Sequence, residues 1–372
     1  MQTTGNKKAL IAMSGGVDSS VTAALMMEAG YDCIGANMRL FADGEAAARE
    51  KSCCSIADAM DARAVADGMG MPFYVLHYTE EFRRMVVEKF VRAYQNGITP
   101  NPCIDCNRYL KFDLLLEQAK AHGCDTIATG HYARIRFNED SGRYELLKGI
   151  DAARDQSYVL YMLTQEELAH TRFPLGDLHK SEVRALAAEY GFVNAAKKDS
   201  QDICFVPDGD HARFIESYTG EKAVPGNFVD KEGTVLGQHK GIIRYTTGQR
   251  KGLGIASDRP YFITDILPET NEIVLGRKED IRESRLIAEE FNWLSIDTPK
   301  EELRATAKIR YRFKEAACTA RVLDGGSVEV CFDAPQPAIT AGQAVVLYDG
   351  DRVLGGGTIT RRASDKSTFS MS

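Results

Sequence analysis

The segment ALIAMSGGVDSS, Ala9 to Ser20, constrains the fold of this chain more than any other. Ala9 to Met13 form a short apolar run of the kind that builds a buried strand. Ser14, Gly15 and Gly16 break it, and Asp18, Ser19 and Ser20 open a helix expected over Val21 to about Ala29. Glycines reach backbone angles closed to other residues, so the N–H groups of Gly15 and Gly16 can converge on an anion. The helix behind them adds unpaired N–H donors and the positive end of its dipole. This is a phosphate cradle, and it is not the Walker type, because no Gly-Lys-Ser/Thr follows the glycines. With no lysine in the loop, the backbone, the hydroxyls of Ser14, Ser19 and Ser20 and a cation near Asp18 must offset the phosphate charge.

SGGVDSS resembles the pyrophosphate-binding loop of the ATP pyrophosphatase superfamily. That resemblance implies a reaction class: ATP activates a substrate as an acyl-type adenylate, and pyrophosphate leaves.

At 372 residues the chain is long for one core, and two or three domains are expected. Its start has no signal-peptide pattern, since the apolar stretch after Lys8 ends at Met13. No run approaches the roughly 18 apolar residues of a membrane span, so a cytoplasmic protein without membrane contact is expected. Nine cysteines without an export signal argue for reduced, reactive thiols rather than a disulfide framework. The net charge of −7 gives no global hint of nucleic-acid binding, which must then come from local patches. Lys240, Arg244, Arg250 and Lys251 fall in residues 236–254, and Lys308, Arg310, Arg312 and Lys314 in 305–314, with no acidic residue in either stretch. If 304–312 is a strand, the alternation of Lys308, Arg310 and Arg312 makes a phosphate-binding ridge on one face.

Residues 1–205 alternate strand and helix signals, with strands expected at 9–13, 33–38, 73–77 and 126–129 and helices at 57–68, 80–94 and 110–121. This predicts an α/β domain around a parallel sheet, with ligands at the carboxyl ends of its strands. Beyond about Asp208 the glycines Gly226, Gly233, Gly237, Gly241, Gly248, Gly252 and Gly254 punctuate short alternating runs, the rhythm of a β-rich module over 206–280. A third segment, 281–372, carries strand signals at 304–312, 318–323, 327–332, 344–348 and 352–354, which suit a small β-barrel.

Three cysteines stand in unusual settings. Cys103 and Cys106 form a C-x2-C in NPCIDCNRYLKF, and Cys204 lies in KKDSQDICFVPDGD. Cys33, Cys124, Cys318 and Cys331 read as small buried hydrophobes, and the adjacent Cys53 and Cys54 as background. Cys106 falls near the start of a helix expected from about Asn107, with Arg108 and Lys111 behind it. A helix N-terminus and nearby cations favour a thiolate. Cys204 follows Lys197 and Lys198 and is open to the same tuning. Two activated thiols beside an adenylation site suggest sulfur transfer through a persulfide.

With these residues in view, the chain resembles the bacterial tRNA-specific 2-thiouridylases over essentially its whole length. The resemblance is carried by AMSGGVDSS (12–20), NP-x-x-x-CN with KF (101–112), ATGHYA (128–133), DQSY-L (155–160), KDS-x-x-ICF (198–205), YTTGQRKGLG (245–254) and IRYR (309–312). It implies ATP-dependent 2-thiolation of the wobble uridine of Lys, Glu and Gln tRNAs. Cys106 would be the attacking thiol and Cys204 the persulfide carrier. Ala12, Met13, Ser14, Gly15, Gly16, Val17, Asp18, Ser19, Met38 and Gly130 would form the ATP site, with Mg²⁺. Asn101, Pro102 and Cys103 match the stretch that meets the target base. His131, Arg154, Asp155, Gln156, Arg310, Tyr311 and Gln343 match tRNA-contacting positions. The implied partners are the tRNA anticodon arm and a sulfur-relay protein or cysteine desulfurase.

One departure matters. Many members carry Asp where this chain has Cys103, so Cys103, Cys106 and Cys204 offer three thiolates that suit a [4Fe–4S] cluster with one open iron. Two other functions stay open on sequence: an amide-forming synthetase of the same superfamily, which has no need of paired cysteines, and an RNA-binding protein on a vestigial nucleotide fold.

Overall fold

A computed structural model describes residues 7–41, 56–197, 203–206 and 208–362. Cys53, Cys54, Lys198 and the KDS of the 198–205 motif lie outside the described residues. The chain divides into two units. The first takes Met1–Val87, Pro102–Gly209 and Asp351–Val353, and the second takes Glu88–Asn101, Asp210–Gly350 and Leu354–Ser372.

The first unit is built on strands β1 (Lys8–Ala12), β2 (Asp32–Arg39), β3 (Phe73–His77), β4 (Thr126–Ala128), β5 (Ala133–Asn138), β6 (Arg143–Lys148) and β7 (Thr171–Arg172). Five of these form a parallel sheet in the order β3-β2-β1-β4-β7. β1 is central, which is why its residues are apolar on both faces: Ala9, Leu10 and Ile11 are fully buried. Helix α1 (Val17–Glu28) follows the glycine turn and α2 (Ile56–Gly68) follows β2. α1 is buried nearly all round. Its Ser20, Thr22, Ala23 and Ala24 are small enough to admit close neighbours, and its Val17 and Val21 pack with Val183 and Ala187 of the helix Lys180–Glu189. Because sheet strands run the same way, the carboxyl ends of β1, β2 and β4 lie at one edge, which is where ligands of such sheets bind.

The hairpin β5–β6 was not anticipated. It is antiparallel, and Glu145 on β6 is buried yet ionised, its carboxylate held low by Asn138, Arg136 and Arg352 against the opposing effect of burial.

In the second unit β8 (Gly226–Val229), β9 (Val235–His239), β10 (Phe262–Leu267) and β11 (Glu272–Gly276) make a small sheet ordered β10-β11-β8-β9 over a core of Phe228, Ile263, Ile273 and Leu275. The remaining strands are β12 (Arg282–Trp293), β13 (Leu303–Lys308), β14 (Ala316–Val322), β15 (Val328–Pro337), β16 (Ala344–Asp349) and β17 (Arg352–Arg362). They run β12-β15-β14-β13-β16-β17, and β17 pairs back to β12, closing a six-stranded barrel. The expected barrel is therefore present, with β12 as an additional strand. Its sequence RESRLIAEEFNW contains three register shifts, one against β15 and two against β17, which hide the alternation from a simple pattern search.

Two expectations are corrected here. β13 ends at Lys308, and residues 309–313 form a turn closed by the Phe313 N–H on the Arg310 carbonyl. Lys308, Arg310 and Arg312 therefore do not share a strand face, and the ridge read from their alternation does not exist. Cys331 is only half-buried, whereas Cys33, Cys124 and Cys318 are buried. Burial pushes the Cys33 thiol up to about 11 and the Cys318 thiol up to about 12, so these two are inert.

Candidate active site

The glycine turn leaves β1 at Ala12 and delivers α1 with Gly16 as its N-cap, in extended conformation and without a capping side chain. The helix's first N–H groups are thus open to a ligand. Gly15 holds φ +77°, and a Cβ there would lie 2.1 Å from the carbonyl oxygen of Asp58. Only glycine fits. Gly130, at the head of the turn after β4, is placed less tightly but still closely, since a Cβ would meet the Asp18 backbone at 3.0 Å. The loop's hydroxyls are committed inward: Ser19 Oγ donates to the Gly16 carbonyl at 3.0 Å and accepts from the Ser14 N–H at 3.2 Å.

The cation required near Asp18 comes from far along the chain. Lys180, 8 % exposed, places its ammonium 2.7 and 2.8 Å from the two Asp18 oxygens, and the Tyr132 hydroxyl donates to Oδ1 at 2.9 Å. A second lysine reaches the turn itself. Lys197 Nζ donates to the Gly15 carbonyl at 3.2 Å, to Asp58 at 2.6 Å and to Asp61 at 2.7 Å. Asn194 donates to the same carbonyl at 3.0 Å and to Ser20 Oγ at 2.9 Å. Burial alone would lower the Lys197 pKa, but its bonds to Asp58 and Asp61 outweigh that and raise it. The expectation that Lys197 tunes Cys204 is therefore corrected: its charge is neutralised by two carboxylates.

A cavity of about 350 Å³ opens at this edge of the sheet. Ala12, Met13, Ser14, Asp18, Ser19, Met38 and Gly130 line it, together with Cys103, Cys106 and Cys204. Gly15, Gly16 and Val17 shape the turn beneath it. The thiols and the glycine turn thus share one cleft, which a nucleotide-activating sulfur-transfer site requires.

The helical surroundings of Cys106 differ from expectation. A continuous helical run begins at Pro102, passes through a π-helical stretch at Cys106–Leu114 and ends at Ala121. Proline suits the first position of a helix, so the start lies several residues earlier than the spacing suggested. Cys103, not Cys106, sits in the first turn. The wider π geometry is anchored by buried Asn107, which donates to the Val159 carbonyl at 2.9 Å. His131 is buried against the same cavity and shares a 2.6 Å hydrogen bond with Thr129; burial first, and the Lys111 charge second, push its pKa well below the usual 6.5. It is neutral at physiological pH.

Cys103, Cys106 and Cys204 do not form a ligand set: among the described residues no three His, Cys, Asp or Glu side chains converge as a metal would require. A [4Fe–4S] cluster fits these residue types but not their placement.

Residues 7–208 match the family described as tRNA methyl transferase HUP domain, 212–277 a tRNA methyl transferase PRC-barrel domain, and 283–359 an aminomethyltransferase beta-barrel domain. The tRNA-specific 2-thiouridylase MnmA of Carboxydothermus hydrogenoformans is 50% identical over 97% of this chain and all of its own length. That of Symbiobacterium thermophilum is 51% identical over 95% of this chain and 92% of its own. The chain belongs to the tRNA-specific 2-thiouridylase family. Among solved structures, a 4-thiouridine synthetase in complex with RNA and ATP overlays at a TM-score of 0.34 and 16% identity, over 54% of this chain and 45% of that one, which is too loose to argue from. Family membership carries ATP use with it.

The other positions of this thiouridylase-family chain expected at the tRNA separate by environment. Pro102 and Gln156 line the cavity, and Gln156 accepts from the Tyr132 N–H at 2.9 Å. Asp155 is buried and its carboxylate accepts from the Gly149 and Ser157 N–H groups and the Ser157 hydroxyl, bracing the loop that also carries half-buried Arg154. Asn101, Arg310, Tyr311 and Gln343 belong to the second unit. There Arg310 Nη2 donates to the carbonyls of Thr247 and Ala338, both at 3.2 Å, and to the Thr340 hydroxyl. Gln343 donates to the Thr99 carbonyl at 2.8 Å, and the Tyr311 ring lies under Lys308. Sequence reasoning missed Lys180, Asn194 and Lys197 as parts of the turn. The need for a cation at Asp18 was the one signal that pointed to them.

Proposed function

We propose that this chain thiolates C2 of the wobble uridine of tRNA, driven by cleavage of ATP to AMP and pyrophosphate. The observation that carries the reading is the shared lining of one cavity by the glycine turn, Cys106 and Cys204. An amide-forming synthetase would need the first and not the second.

ATP lies with its phosphates on the Gly15–Gly16 turn and the open N–H groups of α1, and its base against Met38. Lys180 supplies the charge that the loop lacks; a phosphate competing for its ammonium would share it with Asp18. Among the cavity's lining residues Asp18 is the sole carboxylate, and Lys180 and Tyr132 already bind it. The described residues therefore form no ready magnesium cage, and Mg²⁺ would arrive with the nucleotide, as ions held mainly by substrate phosphates do.

The uridine O2 attacks the α-phosphate and pyrophosphate departs, which turns a poor leaving group into AMP. The terminal sulfur of a Cys204 persulfide bonds to C2, and AMP leaves with the former O2. Cys106 thiolate then attacks Cys204 Sγ and breaks its bond to the transferred sulfur. The products are 2-thiouridine and a Cys106–Cys204 disulfide, which a dithiol reductant must open. A sulfur-relay protein or cysteine desulfurase reloads Cys204. Reaching the base requires flipping it from the anticodon stack, at a cost of a few kcal/mol. Neutral His131 and Gln156 stand where that base would enter. The division into 1–205, 206–280 and 281–372 fits this scheme, the last two segments gripping the anticodon arm.

The test is incubation with ATP, Mg²⁺, a persulfide source and unmodified Glu tRNA, with nucleosides analysed by mass spectrometry. Appearance of 2-thiouridine and loss of it with Cys106→Ser support the reading. Product from the Ser variant sinks it.

A further inference from the structure

The cavity is lined by three thiols, one more than the persulfide cycle uses. Cys103 is exposed, Cys106 and Cys204 are half-buried, and all three are reduced. Cys103 is the second residue of the helical run from Pro102 and Cys106 the fifth, one turn apart on one face. Residues so spaced have Cβ atoms about 5–6 Å apart. Helical spacing puts their Cα atoms within the roughly 4.4–6.8 Å range that a disulfide spans, and a slight opening of the first turn is needed to bring the Cβ atoms to the about 3.5–4.5 Å of the bond. The first-turn N–H groups favour a thiolate at Cys103, the more exposed and more reachable sulfur of the pair. Cys106 can therefore pair with either of two partners in the same cleft.

We propose that Cys103 is the resolving thiol of the catalytic cycle, an inference that rests on the persulfide reading above. After sulfur transfer Cys106 and Cys204 are joined. Cys103 thiolate attacks Cys106 Sγ, the Cys106–Cys204 bond breaks, and its electron pair leaves on Cys204 as a thiolate. The product is a Cys103–Cys106 disulfide, with no net change in oxidation state. Cys204 is then ready to accept the next sulfur, while the new disulfide lies at the exposed end of the helix for an external dithiol protein to reduce. The exchange needs three sulfurs in line only while the Cys106–Cys204 bond holds Cys204 in place, so it does not require the standing three-cysteine cluster that the fold lacks.

The experiment is a single turnover without reductant. Enzyme is loaded on Cys204 with inorganic polysulfide, desalted, and mixed with ATP, Mg²⁺ and unmodified Glu tRNA. It is then quenched in acid, alkylated and mapped by mass spectrometry. Wild type is expected to yield up to one equivalent of 2-thiouridine, a Cys103–Cys106 link and an alkylated Cys204. Cys103→Ser is expected to show the Cys106–Cys204 link instead. With a thioredoxin-type reductant, its ratio of second- to first-turnover rate should fall about tenfold or more relative to wild type. The ratio is internal to each protein, so any effect of Cys103 on tRNA binding cancels. A wild-type map with Cys106–Cys204 linked and Cys103 alkylated overturns the proposal, and needs no variant to do so. So does joint loss of iron and first-turnover product in anaerobically prepared Cys103→Ser, which would make Cys103 an iron ligand. Product formed with no disulfide in either protein would mean that the persulfide reading has failed, and the resolving role with it.

Discussion

As strings of residues, the glycine turn of the first unit and the IRYR segment of the second unit are alike: short, and made of residue types that bind phosphate. In the fold they do opposite things. At the turn, Gly15 and Asp18 gather Lys180, Asn194 and Lys197 from distant chain and leave the helix N–H groups facing a cavity. At 309–312, the Arg310 guanidinium ties together the carbonyls of Thr247 and Ala338 and packs over Phe313. Residue type alone thus does not separate a ligand-binding motif from a bracing one: the turn lines a cavity, whereas Arg310 spends its donors on carbonyls of its own unit.

The sharpest test of the first half of that contrast is the sulfur pair. Cys106→Ser or Cys204→Ser should reduce 2-thiouridine formation on the order of a thousandfold or more while ATP still binds, as when a nucleophile alone is removed. Equilibrium dialysis with nucleotide and nucleoside mass spectrometry would measure both. Gly15→Ala comes next. Its left-handed φ costs roughly 1–2 kcal/mol for a residue with a Cβ, and the clash with the Asp58 carbonyl adds to it, so ATP affinity should fall at least about tenfold. Unchanged affinity would mean that the turn is not the phosphate seat.

Lys180→Gln leaves Asp18 without its ion pair in a largely buried setting. The KM for ATP should rise about 10- to 100-fold, consistent with the few kcal/mol lost when one partner of such a pair is removed. Arg310→Gln should act on stability, lowering unfolding free energy by about 1–3 kcal/mol with ATP affinity intact. The comparison breaks if stability holds and the slope of log K for tRNA against log salt drops by about one, the mark of a direct phosphate contact.

The smallest effect is on pH. His131, His211 and His239 are all held below the usual histidine pKa, chiefly by burial. The unfolded chain binds protons at these positions below about pH 6.5 while the folded chain does not, so stability is complete above that pH and declines as pH falls through it. Melting temperature at pH 5.5 should be a few degrees below that at pH 7.5, and His239→Phe should reduce the difference.

The α/β sheet was legible because β1 is a nearly continuous apolar run, β2 carries mostly small and apolar residues between Cys33 and Met38, and β3 matches its expected span of 73–77. The hairpin β5–β6 was hidden by charged residues such as Arg136 and Glu145 that satisfy one another. The thiols were legible by composition, but the start of their helix was not: Pro102 reads as a breaker unless it is known to occupy a first turn. Lys180 and Lys197 were illegible for another reason. Nothing local distinguishes a surface lysine from one whose carboxylate partner lies 162 or 139 positions away.

Those separations bear on how the protein comes into being. The Gly15 carbonyl takes its partners from residues 179 and 182 positions later. On a ribosome the loop emerges well before those partners, and its shape is completed only once Lys197 has cleared the exit tunnel. Until then the parallel sheet must form without the complete nucleotide seat to stabilise it.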